Sequence, residues 1–134
     1  MPETEGKSMR QQSVSIKGLE HPGAPSACRI GPIVASSGIL GSDPVTGEMP
    51  GDVETQARNA FVNMKRLLAE FGLDEGDVVK ITNFVGDAAH RIVLRKYWAE
   101  CYPDEGHRPA RHTIVSPLNI GLVQLEILAV ARDA

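Results

Sequence analysis

Apolar patterns run along the chain as strands, a helix, a strand, a second helix and strands again, an order that predicts one mixed α and β domain. Two periodicities carry most of this reading. Val53, Ala57, Ala60, Phe61, Met64, Leu67, Leu68 and Phe71 recur at helical spacing, and Val123, Leu125, Ile127, Ala129 and Ala131 alternate as one face of a strand. The length of 134 residues agrees, since such a chain suits a single domain that buries roughly two thirds of its unfolded surface.

Met1 to Gln12 carries Glu3, Glu5, Lys7 and Arg10 without periodicity and is expected to be a polar tail, residues 1–12, ahead of a domain over 13–134. Val14 and Ile16 alternate as a short first strand. The breakers His21-Pro22-Gly23-Ala24-Pro25 form a loop, and short strands follow around Cys28 to Ile30 and from Ile33 to Ser37. Asp43-Pro44-Val45-Thr46-Gly47 is a turn. Asp52 caps the first helix, which runs to Gly72; its apolar stripe is wide enough to lie on a sheet. Val78 to Val85 is a strand, Ala88 to Tyr102 a second helix stopped by Pro103, Arg111 to Val115 a strand and Leu122 to Ala131 the last one.

Composition narrows the function. A net charge of −3 and an aromatic content of 4% give little to hold phosphates or stack bases, so nucleic acid is not an expected partner. No apolar run approaches the roughly 18 residues of a membrane span, and no hydrophobic segment follows the polar start, so a cytoplasmic protein without a membrane partner is expected. Cys28 and Cys101 lack metal or redox spacing and read as packing residues in a reducing compartment. His21, His90, His107 and His112 show no ligand pattern. Neither a metal nor a cofactor is expected.

Two charged side chains stand where packing residues belong. Arg111 opens a strand in Arg108-Pro109-Ala110-Arg111-His112-Thr113, and its planar fork matches a carboxylate; a small-anion clamp and a surface or interface ion pair are both open to it. Glu126 sits mid-strand among aliphatic neighbours, so it needs a partner, a hydrated cleft or a proton. Strand alternation sets His112 on the opposite face from Arg111 and Thr113, which makes it a packing or interface residue before a base. Arg108 reads first as a surface pair; the alternative is a second cation that widens the anion preference towards dicarboxylates. Tyr97 and Trp98 sit at core spacing.

Val34-Ala35-Ser36-Ser37-Gly38 before a D-P-x-T-G turn, the Gln56-to-Asn63 helix start, Gly72-Leu73 followed by Asp77-Val78-Val79-Lys80, Pro109-Ala110-Arg111 and Glu126 together resemble the RidA/YjgF/YER057c/UK114 family over about Gly31 to Ala131. The resemblance implies a chorismate-mutase-like α+β fold: a mixed sheet of about six strands, two helices on one face, the last strand inserted between earlier ones. It also implies a homotrimer with ligand clefts between adjacent subunits. By the same resemblance, Arg111 grips a substrate carboxylate, Ser37 and backbone N–H groups of Gly38 and Thr113 line the pocket, and Glu126 positions water and moves protons.

The implied activity is hydrolysis of reactive 2-imino or enamine acids to 2-oxo acids and ammonia, as in a 2-iminobutanoate/2-iminopropanoate deaminase. It requires no cofactor, because an imine is already electrophilic. Three positions depart from the family pattern: Thr113 stands where many relatives have Cys and removes any thiolate there, no tyrosine occurs between His21 and Ala27, and Leu94 replaces a common Asn. Two other readings accompany the deaminase: hydrolysis of another small activated carboxylic acid in a catabolic pathway, and a non-catalytic trimeric metabolite-binding protein. The acidic balance speaks against ribonuclease activity.

Overall fold

The structure, a computed structural model, describes residues 10–131. Most of the expected tail therefore lies outside the described residues, although Gln12 already pairs with Arg29 in the first strand. In chain order the elements are β1 (Gln12–Val14), β2 (Ala27–Ile30), β3 (Ile33–Ser36), β4 (Ile39–Leu40), α1 (Val53–Ala69), β5 (Val78–Val85), α2 (Arg91–Cys101), β6 (Ala110–Val115) and β7 (Val123–Val130). The sheet order is β1-β2-β3-β7-β5-β6, with β4 also paired to β7. The last strand is thus inserted between β3 and β5, as the resemblance implies. Among the described strands β5 and β6 alone run parallel, because α2 carries the chain back between them. The two-residue β4 makes seven strands rather than six.

The helices cover one face. Val34, Ile39, Ile81, Val85, Val123, Leu125, Ile127 and Ala129 meet Ala57, Ala60, Met64, Leu67, Leu68, Leu94 and Trp98 in one buried core, as the alternation of β7 and the stripe of α1 require. Asp52 caps α1 through its carboxylate, which accepts from the Thr55 N–H at 2.9 Å. At the other end Gly72 turns the chain with a φ of 71°, and the Leu73 N–H reaches back to the Leu68 carbonyl. A 3₁₀ turn, Ala88–His90, occupies the expected first turn of the second helix.

Three amides on α1 at spacings of three and four tie the helix to the β4 segment and to the loop that leads into the helix. Asn63 donates to the Leu40 and Ser42 carbonyls at 2.9 and 2.8 Å, Asn59 to Gly41 at 3.2 Å, and Gln56 to Pro50 at 2.7 Å. Gly41 is required by this approach, since a Cβ there would collide with the Gln56 carbonyl. The opposite face of the sheet carries Ile30, Ile33 and Leu128 as exposed hydrophobics, with no helix over them.

Candidate active site

Arg111 leaves β6 towards the helices. Its register partner is Ile81, a core residue of β5, and its Cζ lies 4.8 Å from the centre of the Trp98 ring on α2. The indole is both buried core and a flat support for the guanidinium, a contact that holds the fork without consuming its donors. Among the described residues no carboxylate pairs with Arg111 within 4.0 Å. Partial burial, and next the like charges of Arg95 and Arg108, lower its pKa from the ordinary guanidinium value; it stays charged at any physiological pH. Beside it opens a cleft of about 230 Å³ lined by Asn83, Arg91, Arg95, Arg111 and Thr113.

Thr113, two residues along β6, shares this face and receives a 3.4 Å hydrogen bond from the Asn83 amide nitrogen. Asn83 is 1% exposed, and its Oδ1 has no hydrogen-bond partner. Among the described residues nothing donates to that oxygen, so a donor brought into the cleft would satisfy it. Leu94, at the position where the family commonly carries Asn, is fully buried core, so the carboxamide of this cleft comes from the strand rather than from the helix.

Glu126 stands on the other face of the sheet. It pairs in register with Thr82, which in turn pairs with His112, and it lines a second depression of about 280 Å³ with Ala35, Ser36, Lys80, Thr82, Ile127 and Leu128. Of the three situations open to a mid-strand carboxylate, the open cleft is the one found: Glu126 is exposed, and its immediate neighbours Leu125 and Ile127 point the other way while Leu128 shares its face. His112 lies on the same face as Glu126, opposite Arg111, as strand alternation predicts.

Ser37 and Gly38 follow Ser36, which lines that second depression. Ala35 pairs with Leu128 and Ile39 with Leu125, so Ser36, Ser37 and Gly38 stand opposite only Glu126 and Ile127 and the chain bulges there. The Ser36 hydroxyl accepts from the Ile127 N–H at 2.9 Å, the Ser37 hydroxyl donates to the Pro25 carbonyl at 2.8 Å, and the His21 ring nitrogen Nε2 lies 2.7 Å from the Gly38 carbonyl. The loop that lacks a tyrosine thus lays a histidine against the bulge.

One chain therefore holds two halves. Arg111 and Thr113 lie on the helix side of an edge strand; Glu126 lies on the open side, with the bulge that carries Ser37 and Gly38 beside it against β7 and with β5 between β6 and β7. Two strand spacings, roughly 10 Å, and the thickness of the sheet separate the fork from the carboxylate, so one small ligand cannot touch both in a single chain. Arg108 is not the second cation of the cleft. Its Nε donates to the Tyr102 carbonyl at 2.8 Å and its Nη1 lies 3.7 Å from Glu105, which commits it to the end of α2. That position is filled by Arg91 and Arg95, which the sequence reading passed over; their spacing of four, then three to Trp98, was the available signal.

A family model described as Endoribonuclease L-PSP matches residues 23–133. The chain belongs to this family, the RidA/YjgF group. Among its RidA/YjgF relatives, a RutC family protein of Haemophilus influenzae is 32% identical over 111 residues, 79% of this chain and 85% of that one. The 2-iminobutanoate/2-iminopropanoate deaminase of Escherichia coli is 43% identical over a shorter stretch of 58 residues, 43% of this chain and 45% of that one. The crystal structure of RidA from the Antarctic bacterium Psychrobacter sp. PAMC 21119 superposes with a TM-score of 0.77 at 26% identity, covering 92% of this chain and 98% of that one. The RidA-like architecture of sheet and paired helices is thereby shown. Among the described residues no helix is long and apolar enough to cross a membrane.

Proposed function

We propose that this chain is a cofactor-independent hydrolytic deaminase of 2-imino or enamine acids, working as a homotrimer whose sites lie between subunits. The observation that carries the reading is Arg111: a guanidinium laid on Trp98, without a carboxylate partner among the described residues, facing a cleft of metabolite size. Relatives named as deaminases supply the reaction class. A second copy seated with its open face against the β6 edge brings its Glu126, Ser37 and Gly38 to the fork, and covers exposed Ile33 and Leu128.

In that arrangement Arg111 binds the substrate carboxylate with two parallel N–H donors and thereby fixes the C=N carbon. Glu126 of the neighbouring copy removes a proton from water as the oxygen bonds to that carbon, and the C=N electron pair moves to nitrogen. The carboxyl group then returns the proton to nitrogen to complete a carbinolamine; Glu126 next carries the carbinol O–H proton to the same nitrogen, the C–N bond breaks with its electron pair leaving on ammonia, and the C=O of the 2-oxo acid forms. Thr113 offers a hydroxyl and a backbone N–H but no thiolate, so every step is proton transfer and water addition.

The test is to generate 2-iminopropanoate in situ from alanine with an amino-acid oxidase and to follow the formation of 2-oxo acid. Wild type accelerates hydrolysis, and Arg111→Ala loses roughly 100-fold in kcat/KM, the effect of deleting a charge-assisted bidentate contact. No acceleration by wild type, together with Arg111-dependent binding of 2-oxo acids, replaces this reading with that of a metabolite-binding protein. Acceleration confined to other activated acids replaces it with the alternative hydrolase.

A further inference from the structure

The Arg111 cleft holds more positive charge than one carboxylate needs. Arg91 and Arg95 line it with Arg111, and no Asp or Glu lines it. None of the three arginines pairs with a carboxylate within 4.0 Å among the described residues. The arrangement works against the helix that carries it. Arg91 is the first residue of α2, where the positive end of the helix dipole disfavours a cation and where no acidic residue stands in the first turn. Arg95, four residues on, repels Arg91 along the same face. Arg91 makes one local hydrogen bond, Nε to the Ala88 carbonyl at 3.3 Å, which leaves its terminal nitrogens for the cleft.

The second observation is independent of charge. Asn83, on the floor of the same cleft, is 1% exposed and its Oδ1 is unpartnered, while its other amide end meets Thr113. A ligand in the cleft that carries an N–H or O–H donor beside Asn83 would satisfy that oxygen. From these features we infer that the site recognises a short 2-imino or 2-oxo dicarboxylic acid: Arg111 takes the carboxylate beside the reacting carbon, Arg95 and Arg91 take the distal carboxylate, and Asn83 accepts from the imine N–H or the carbinol O–H. The inference deepens the proposed function and rests on the same placement of Arg111.

Binding and turnover test it separately. At fixed ionic strength, calorimetric titration of the full-length wild type with 2-oxoglutarate, pyruvate and inorganic phosphate is expected to give 2-oxoglutarate about 10-fold tighter than pyruvate, the gain of one further charge-assisted contact. Arg91→Gln and Arg95→Gln each lower that ratio several-fold, whereas Arg58→Gln, an exposed arginine on α1, leaves it in place. Hydrolysis of the imines made from glutamate and alanine shows the same order in kcat/KM. Dicarboxylate preference in binding without acceleration of either imine sustains this inference and removes the catalytic reading. Equal acceleration of both imines, with a binding ratio near one, overturns the inference and leaves the catalytic reading standing. Phosphate binding as tightly as 2-oxoglutarate also overturns it, because charge alone then accounts for the arginines.

Discussion

Arg111 acts through what surrounds it. A guanidinium in water binds a carboxylate weakly, because both are well solvated and its side chain is mobile. Here the Trp98 face removes water from one side of the fork and restricts its rotation. Trp98→Leu is therefore expected to raise KM about 3-fold to 10-fold, with Trp98→Phe retaining most of the affinity because it keeps a π face. Thermal melts of the same variants separate this effect from the loss of packing, for Trp98 also packs against Tyr102 in a tilted pair with ring centres 5.1 Å apart. Arg111 and Glu126 were legible in the sequence because a charge at a packing position is conspicuous. Arg91 and Arg95 were not, because arginines on an exposed helix face read as solvated surface until the helix is docked beside β6. Asn83 escaped for a related reason: nothing in an alternating strand distinguishes a buried amide from a satisfied one.

At the scale of elements, the bulge that carries Ser37 and Gly38 depends on α1. Asn63 satisfies two backbone carbonyls of the β4 segment and also accepts from Arg66 at 2.8 Å. Asn63→Leu leaves those carbonyls buried without donors and is expected to cost about 2–3 kcal/mol in urea unfolding, with unchanged m-value. The cap of α1 supplies a pH signature. Acceptance of the Thr55 N–H, and then of its hydroxyl, lowers the Asp52 pKa below the ordinary carboxylate value. A depressed folded value means that the contribution is fully present above the unfolded pKa and is lost as pH falls through the folded one, below about pH 4. Asp52→Asn, which still caps the helix, is expected to flatten that acid limb of the melting temperature while changing it little at pH 7. The amphipathic helix, its cap and β5 were readable because local periodicity and capping chemistry determine them. The two-residue β4 was not, since its existence depends on pairing with a strand more than eighty residues later.

The whole molecule explains why the expected site appears in two parts. Two helices cover one face of the sheet, and the face left open carries both the exposed aliphatic residues and Glu126. The edge strand β6 carries Arg111 to the rim, on the other side. Sequence resemblance correctly placed the last strand between earlier ones, which the structure shows to be β3 and β5, and so warned against pairing Arg111 with Glu126 across a hairpin. What it could not place was the geometry of either half, because the side-chain environment of an edge strand is made by a helix twenty residues earlier and, in the proposed assembly, by another chain.

Subunit complementation tests that assembly most directly. Arg111→Ala and Glu126→Gln proteins, each strongly impaired alone, are mixed in equal amounts, unfolded and refolded together, and assayed for imine hydrolysis. Sites built between copies restore about one quarter of wild-type activity, the share of interfaces that unite an intact fork with an intact carboxylate in a randomly mixed ring. Activity no higher in the mixture than in the separate variants contradicts the account.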